Sequence, residues 1–164
     1  IWTMQSNYHN LPLINGVPQR YGATYNKATQ VQADKRKNTF TANIATAYPA
    51  EAEVESWIRS YSLQKGQLRI SDSFRLTTAK QPNQINFMTW GQVNTEIPGK
   101  IQLEVKGKKA VIEYDKQLFD VKTEIIPLTD TRLSNVWGKS ICRITLTATN
   151  IYKTGNYSFT IKKQ

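Results

Sequence analysis

The chain is short of the residues from which most self-sufficient active sites are built. It has one histidine and one cysteine in 164 residues. A single cysteine excludes an intrachain disulfide and any zinc site made of cysteines, and it leaves the redox compartment open. Acidic residues are also scarce, twelve against twenty-two Lys and Arg, so the formal charge is +10. No apolar run approaches the ~18 residues that a membrane-spanning helix needs, and membrane insertion is not expected. The sequence holds no P-loop, no G-x-G-x-x-G and no G-x-S-x-G. The carboxylate pairs Glu51/Glu53 and Glu53/Glu55 sit in an exposed passage between a helical turn and a strand. A zinc site takes three or four ligands, and one histidine with scattered carboxylates does not make that set. Catalysis by this chain alone is not expected. Lacking an initial Met and a signal peptide, it reads as a processed product or a piece of something longer.

What is present is a strand rhythm. The length suits one domain, 1–164, with one core. β-Branched and aromatic residues are spread evenly and Thr is abundant, which favours strands. Strands are expected at 11–14, 28–33, 39–45, 54–63, 67–70, 72–78, 84–90, 101–105, 110–114, 118–126, 140–148 and 157–163. In the third, Phe40, Ala42 and Ile44 share a face; in the fourth, Trp57, Arg59, Tyr61 and Leu63 do. Turn signals separate them at Asn15-Gly16, Lys65-Gly66, Pro98-Gly99 and across 106–109. The one local helix signal is 47–53, where Pro49 suits a first turn and carboxylates follow it. Short strands in this number, at roughly 8–12-residue spacing, predict an all-β fold. The expected architecture is an antiparallel two-layer β-sandwich with at most one short helix. No repeat, low-complexity tract or linker divides the chain.

The positive charge favours a polyanionic partner: nucleic acid, an anionic membrane surface or an acidic polysaccharide. Three basic clusters, Lys35-Arg36-Lys37, Lys106/Lys108/Lys109 and Lys162-Lys163, fall at expected turns or at the chain end. Lysines at turns commonly serve solubility, but a field of one sign steers polyanions. Nucleic acid calls for aromatics interleaved with the basic residues. Here Phe40, Tyr61, Phe87, Phe119 and Phe159 lie in strand phases that suggest core, so nucleic acid is not expected. Trp57 reads as core and Cys142, in phase with Ile144 and Leu146, as a small buried thiol. Trp90 and Trp137 each precede a glycine at a strand or loop end. Each suits either stacking on a sugar ring or capping the core.

The only histidine lies in Ser6-Asn7-Tyr8-His9-Asn10-Leu11-Pro12-Leu13-Ile14-Asn15-Gly16-Val17-Pro18-Gln19. Imidazole is both a common metal ligand and a proton shuttle, though a lone histidine is more often simply packed. This stretch resembles a segment of the heparinase II/III-like polysaccharide lyases, through His9, Asn10, Ile14, Asn15, Gly16 and Gln19. A second region is similar to the same family through Ala47-Tyr48-Pro49, Trp57-Ile58-Arg59 and Leu68-Arg69-Ile70-Ser71-Asp72-Ser73-Phe74. Together these cover the first 76 residues or so.

The resemblance implies the C-terminal β-sandwich of a lyase that cleaves uronic-acid polysaccharides such as heparan sulfate by β-elimination. It implies an upstream α-helical toroid as partner, and catalytic groups on that toroid and on a His-x-His-x-Asp segment, all upstream of His9. By the same resemblance His9 is one zinc ligand whose companions lie upstream, so no cofactor is expected for this stretch alone. Asn10, Lys35, Arg36, Lys37 and Trp90 are expected polysaccharide contacts. A bacterial periplasmic or exported location and self-association through an uncovered sheet edge are further expectations. Two alternatives stand beside this reading: an independent carbohydrate- or polyanion-binding module, and a structural sandwich without a ligand.

Overall fold

The computed structural model describes residues 2–164. Its strands are β1 (Pro12–Leu13), β2 (Thr29–Asp34), β3 (Thr39–Asn43), β4 (Val54–Gln64), β5 (Gln67–Leu76), β6 (Gln84–Thr89), β7 (Gln92–Asn94), β8 (Lys100–Val105), β9 (Lys108–Tyr114), β10 (Phe119–Pro127), β11 (Ser140–Ala148) and β12 (Thr154–Lys163). They form a four-stranded sheet ordered β1-β6-β11-β10 and an eight-stranded sheet ordered β2-β3-β4-β5-β12-β9-β8-β7. All the pairings between these strands are antiparallel. The protein is an all-β, two-layer sandwich.

Chain reversals are set by local chemistry. Asn15-Gly16, Lys65-Gly66 and Lys106-Gly107 all have both residues at positive φ. That is the backbone of the tight turn whose twist matches two antiparallel strands, and glycine adopts it without strain. The last of these is a two-residue turn rather than the four-residue loop the lysines suggest, because Lys108 and Lys109 already pair in β9.

The two sheets meet over a run of aromatic rings. Trp57 stacks on Phe74 at 4.9 Å, Phe74 meets Tyr157 at 5.0 Å, and Tyr157 meets Phe119 at 4.7 Å. Phe119 then contacts Phe159 at 5.4 Å, and Phe159 contacts Phe87 at 5.5 Å. Rings on β4, β5 and β12 of the large sheet thus interlock with rings on β6 and β10 of the small one. Gly155, beside Phe74 in the ladder, is required there: a Cβ would lie 2.8 Å from the ring. Cys142 is buried on the same inner face as Ile144 and Leu146, as its alternation predicts.

Within this apolar layer sits an ion pair. Arg59 on β4 and Asp72 on β5 are direct cross-strand partners, 2% and 1% exposed. The guanidinium donates from Nε to Asp72 Oδ1 and from Nη2 to Oδ2, each at 2.7 Å. Burial by itself would make the guanidinium easier to deprotonate, but the charge and hydrogen bonds of Asp72 outweigh it and hold Arg59 above its ordinary value. The remaining Nη1 donates to Asn10 O at 2.8 Å.

The structure departs from the sequence reading in further places. Residues 67–76 are one strand, because Asp72 is an inward residue in phase with Ile70 and Phe74 rather than the start of a new element. The one or two helical turns expected at 47–53 are 3-10 turns, Ala45–Ala47 and Ala50–Ala52, and Pro49 precedes the second instead of sitting in its first turn. An α-helix, α1 (Thr131–Trp137), lies where none was expected. Phe40 is 43% exposed rather than core, since the four-stranded sheet does not cover the β2–β3 wing of the wider one.

Removing one partner of a buried pair strands the other charge in the core. Asp72→Ala should therefore lower stability by about 3–5 kcal/mol, and Arg59→Met with Asp72→Leu should recover most of the loss. Urea denaturation checks both; a single variant unfolding at the wild-type midpoint would refute the assignment.

Candidate functional site

The segment before β1 is held against the sandwich by backbone and side-chain bonds. The Asn10 side chain continues the ladder along β6: its Oδ1 accepts from Met88 N at 2.8 Å, next to Leu11 O, which accepts from Asn86 N at 3.2 Å. Ser6 Oγ accepts from Gln19 N at 2.9 Å. The Tyr48 hydroxyl donates to Pro12 O at 2.5 Å, and burial raises its pKa so that it remains a neutral donor. Asn15 donates through Nδ2 to Ala52 O and Thr78 O and accepts at Oδ1 from Lys80 N, tying the first turn to two other loops.

So fixed, the segment forms one wall of a groove of about 480 Å3. Trp2, Thr3, Tyr8, His9 and Asn10 stand on that wall, Leu133 and Trp137 of α1 on the other, and Met88, Trp90 and Ile141 lie between. Trp90 and Trp137 meet nearly at right angles, 87°, with centroids 6.0 Å apart. Trp137 is 49% exposed and Trp90 half-buried. The two indoles belong to the groove rather than to the core. The ammonium of Lys106 lies 4.8 Å from the Trp90 ring, and the Arg143 guanidinium 4.6 Å from the Tyr8 ring. Both are cation–π distances.

The wall carrying Trp137 depends on a helix cap. Asp130 precedes α1, accepts from Arg132 N through Oδ1 at 2.9 Å, and pairs with the Arg132 guanidinium through Oδ2 at 2.7 Å. Those bonds hold its carboxyl below the ordinary aspartate range. Gly138, at φ +83°, ends the helix.

His9 is exposed, and its Nε2 lies 3.0 Å from Thr3 O. A carbonyl only accepts, so Nε2 carries the proton and, in the neutral ring, Nδ1 keeps its lone pair. Among the described residues no group of three or more His, Cys, Asp or Glu side chains comes together. A closed zinc site does not fit this donor set; His9 supplies at most one ligand.

Of the residues singled out in the sequence, His9, Asn10 and Trp90 meet in the groove. Lys35, Arg36 and Lys37 do not line it; they occupy the β2–β3 turn, where Asp34 Oδ1 accepts from the backbone of Arg36 and Lys37. Trp137 joins the groove from an unexpected helix, and the pairing of Tyr8 with Arg143 went unread. Asp130 as a cap, Leu133 inside and Gly138 after Trp137 form the start-and-stop pattern that marks α1.

A carboxyl whose pKa is depressed by folding stabilises above its ordinary range, and that contribution is lost as pH falls through the depressed value. Acid should therefore loosen α1 and change the Trp137 emission below the ordinary aspartate range. Asp130→Asn keeps a capping oxygen but not the charge, and should lack that step in a fluorescence pH titration. An identical step in the variant would refute the assignment. No protein-family model and no curated protein matches the chain.

Proposed function

We propose that the chain is the C-terminal β-sandwich of a heparinase II/III-like polysaccharide lyase, working on an acidic, uronate-containing polysaccharide such as heparan sulfate. The observation that carries this reading is how the residues of the resemblance behave in three dimensions. They come from separate stretches of sequence and interlock: Arg59 with Asp72 and Asn10, Trp57 with Phe74, Tyr48 with the strand that follows His9. The residues of the resemblance thus form one connected set in the fold rather than scattered positions. The formal charge of +10 supports an acidic substrate.

In this reading the sandwich is one side of a cleft whose catalytic groups belong to an upstream α-helical toroid, and the protein works in the bacterial periplasm or outside the cell. A zinc ion at His9 belongs to the proposal only as a site completed by residues beyond this chain. The long edge of β10, which pairs with β11 along nine residues, offers a surface for self-association. The second reading, an independent module for acidic saccharides, is favoured by the groove, because both its walls belong to this chain.

Two measurements test the proposal. The chain alone should release no unsaturated uronate product from heparan sulfate, measured by ultraviolet absorbance, and turnover would contradict the placement of the catalytic groups upstream. It should also elute from immobilised heparin at higher salt than from a sulfonate exchanger of equal charge density. Equal elution would mean plain charge attraction and would count against a polysaccharide partner.

A further inference from the structure

We infer that the groove between α1 and the N-terminal segment binds one anionic pyranose unit, with Trp90 and Trp137 as stacking platforms and Lys106 as the group that recognises the negative charge. The ligand class rests on the acidic-saccharide reading above; the site itself rests on geometry.

Two indoles outside the core, one of them half-exposed, form an open corner. An indole face is apolar and broad, and it suits the C–H face of a sugar ring. With the rings at 87°, a pyranose stacked on one presents its edge to the other. Polar groups that hydroxyls need stand on the same lining: Thr3, His9, Asn10 and Thr89. Among the described hydrogen bonds none uses His9 Nδ1 or Asn10 Nδ2, leaving one acceptor and one donor for a ligand. A volume of about 480 Å3 lies within the ~300–1,000 Å3 usual for small-ligand sites.

The groove's lining carries no Lys or Arg, and the ammonium of Lys106 reaches it only from the neighbouring hollow, over Trp90. No Asp or Glu is among its lining residues. Of the nearby carboxylates, Asp130 is engaged by Arg132 and Glu124 by Arg143, while Glu104 lines the neighbouring hollow together with Lys106 and Trp90. Lys106 sits in the tight β8–β9 turn, its backbone held at φ +50°, with its ammonium over Trp90. An aromatic face is a weak partner for an ammonium compared with a carboxylate or sulfate. An anionic sugar at the Trp90 end of the groove therefore draws the Lys106 ammonium from the indole toward itself. Charge recognition and stacking are coupled through one side chain, which makes the site selective for anionic over neutral rings.

The test is a tryptophan-fluorescence titration with three disaccharides: one bearing an unsulfated uronate, one neutral in its backbone but sulfated, and one uncharged. Both anionic ligands should give saturable changes, and the uncharged one should bind about ten-fold or more weakly. Lys106→Met keeps the side-chain stem and should erase that preference. Trp137→Ala should weaken all binding about ten-fold. Circular dichroism establishes that the variants fold, and indole N–H chemical shifts of Trp90 in the Lys106→Met protein give a readout independent of Trp137. If the wild type binds heparin while neither variant alters its affinity, the groove assignment fails and the acidic-polysaccharide reading survives. If neutral and anionic disaccharides bind equally through Trp137, the groove stands and the acidic reading fails. If no disaccharide binds the wild type, the inference is overturned.

Discussion

The N-terminal wall of the groove depends on one buried ion pair. Arg59 and Asp72 face each other across β4 and β5 on the inner side of the large sheet, where water cannot solvate them. A guanidinium in such a place is tolerable only if its donors are used, and three of them are: two on Asp72 and one on the carbonyl of Asn10. The third bond is the consequential one. It reaches out of the sheet to a backbone atom of the N-terminal segment, so the requirement to satisfy a buried charge fixes the position of residues 9 and 10. Two hydrophobic residues would pack as well but would hold no such segment.

From that anchor the groove follows by steps. Asn10, pinned at its carbonyl, places its side chain to accept from Met88 N and extends the β6 edge beyond β1. The segment before it then passes the outer side of β11, where Tyr8 covers the Arg143 guanidinium and Trp2 meets Tyr8 edge-on. The opposite wall has a separate origin: the β10–β11 connection is long enough for a helix, and Asp130 starts one. Neither wall is a strand. The sandwich supplies the floor, and two irregular elements convert the end of a sheet into a concave surface, which is the common division of labour between scaffold and loops.

The strands were legible because inner and outer residues alternate with period two, and the turns because X-Gly pairs need positive φ. β11 is the clearest case: Cys142, Ile144, Leu146 and Ala148 all face inward. Legibility failed where a polar residue occupies an apolar position. Ser71-Asp72-Ser73 reads as a break, yet Asp72 is only 1% exposed because Arg59 lies opposite. No periodicity argument carries that, since the partner is thirteen residues away and across a turn. Phe40 failed for the reverse reason: its phase is inward, but the facing sheet has four strands against eight and does not reach it. The groove was half legible. His9, Asn10 and Trp90 were visible as residue types, whereas their company with Tyr8, Trp137 and Lys106 comes from tertiary packing.

The residues that carry the family resemblance divide by what they do. Ile14, Tyr48, Trp57 and Phe74 fill the core; Arg59, Asp72 and Asn10 satisfy one another; Asn15 joins three loops. At Gly16 the backbone lies at φ +76°, a conformation that glycine adopts without strain. Each of these is explained by folding alone. His9 is not. Its ring is exposed, its one bond is to the carbonyl of Thr3, and other side chains would serve the chain as well at that point. Its neighbour Asn10 is held by the buried guanidinium of Arg59, on the wall of the groove. His9 thus adds little to the packing of the sandwich, and it stands on the groove wall because Asn10 beside it is bonded to Arg59 and to Met88.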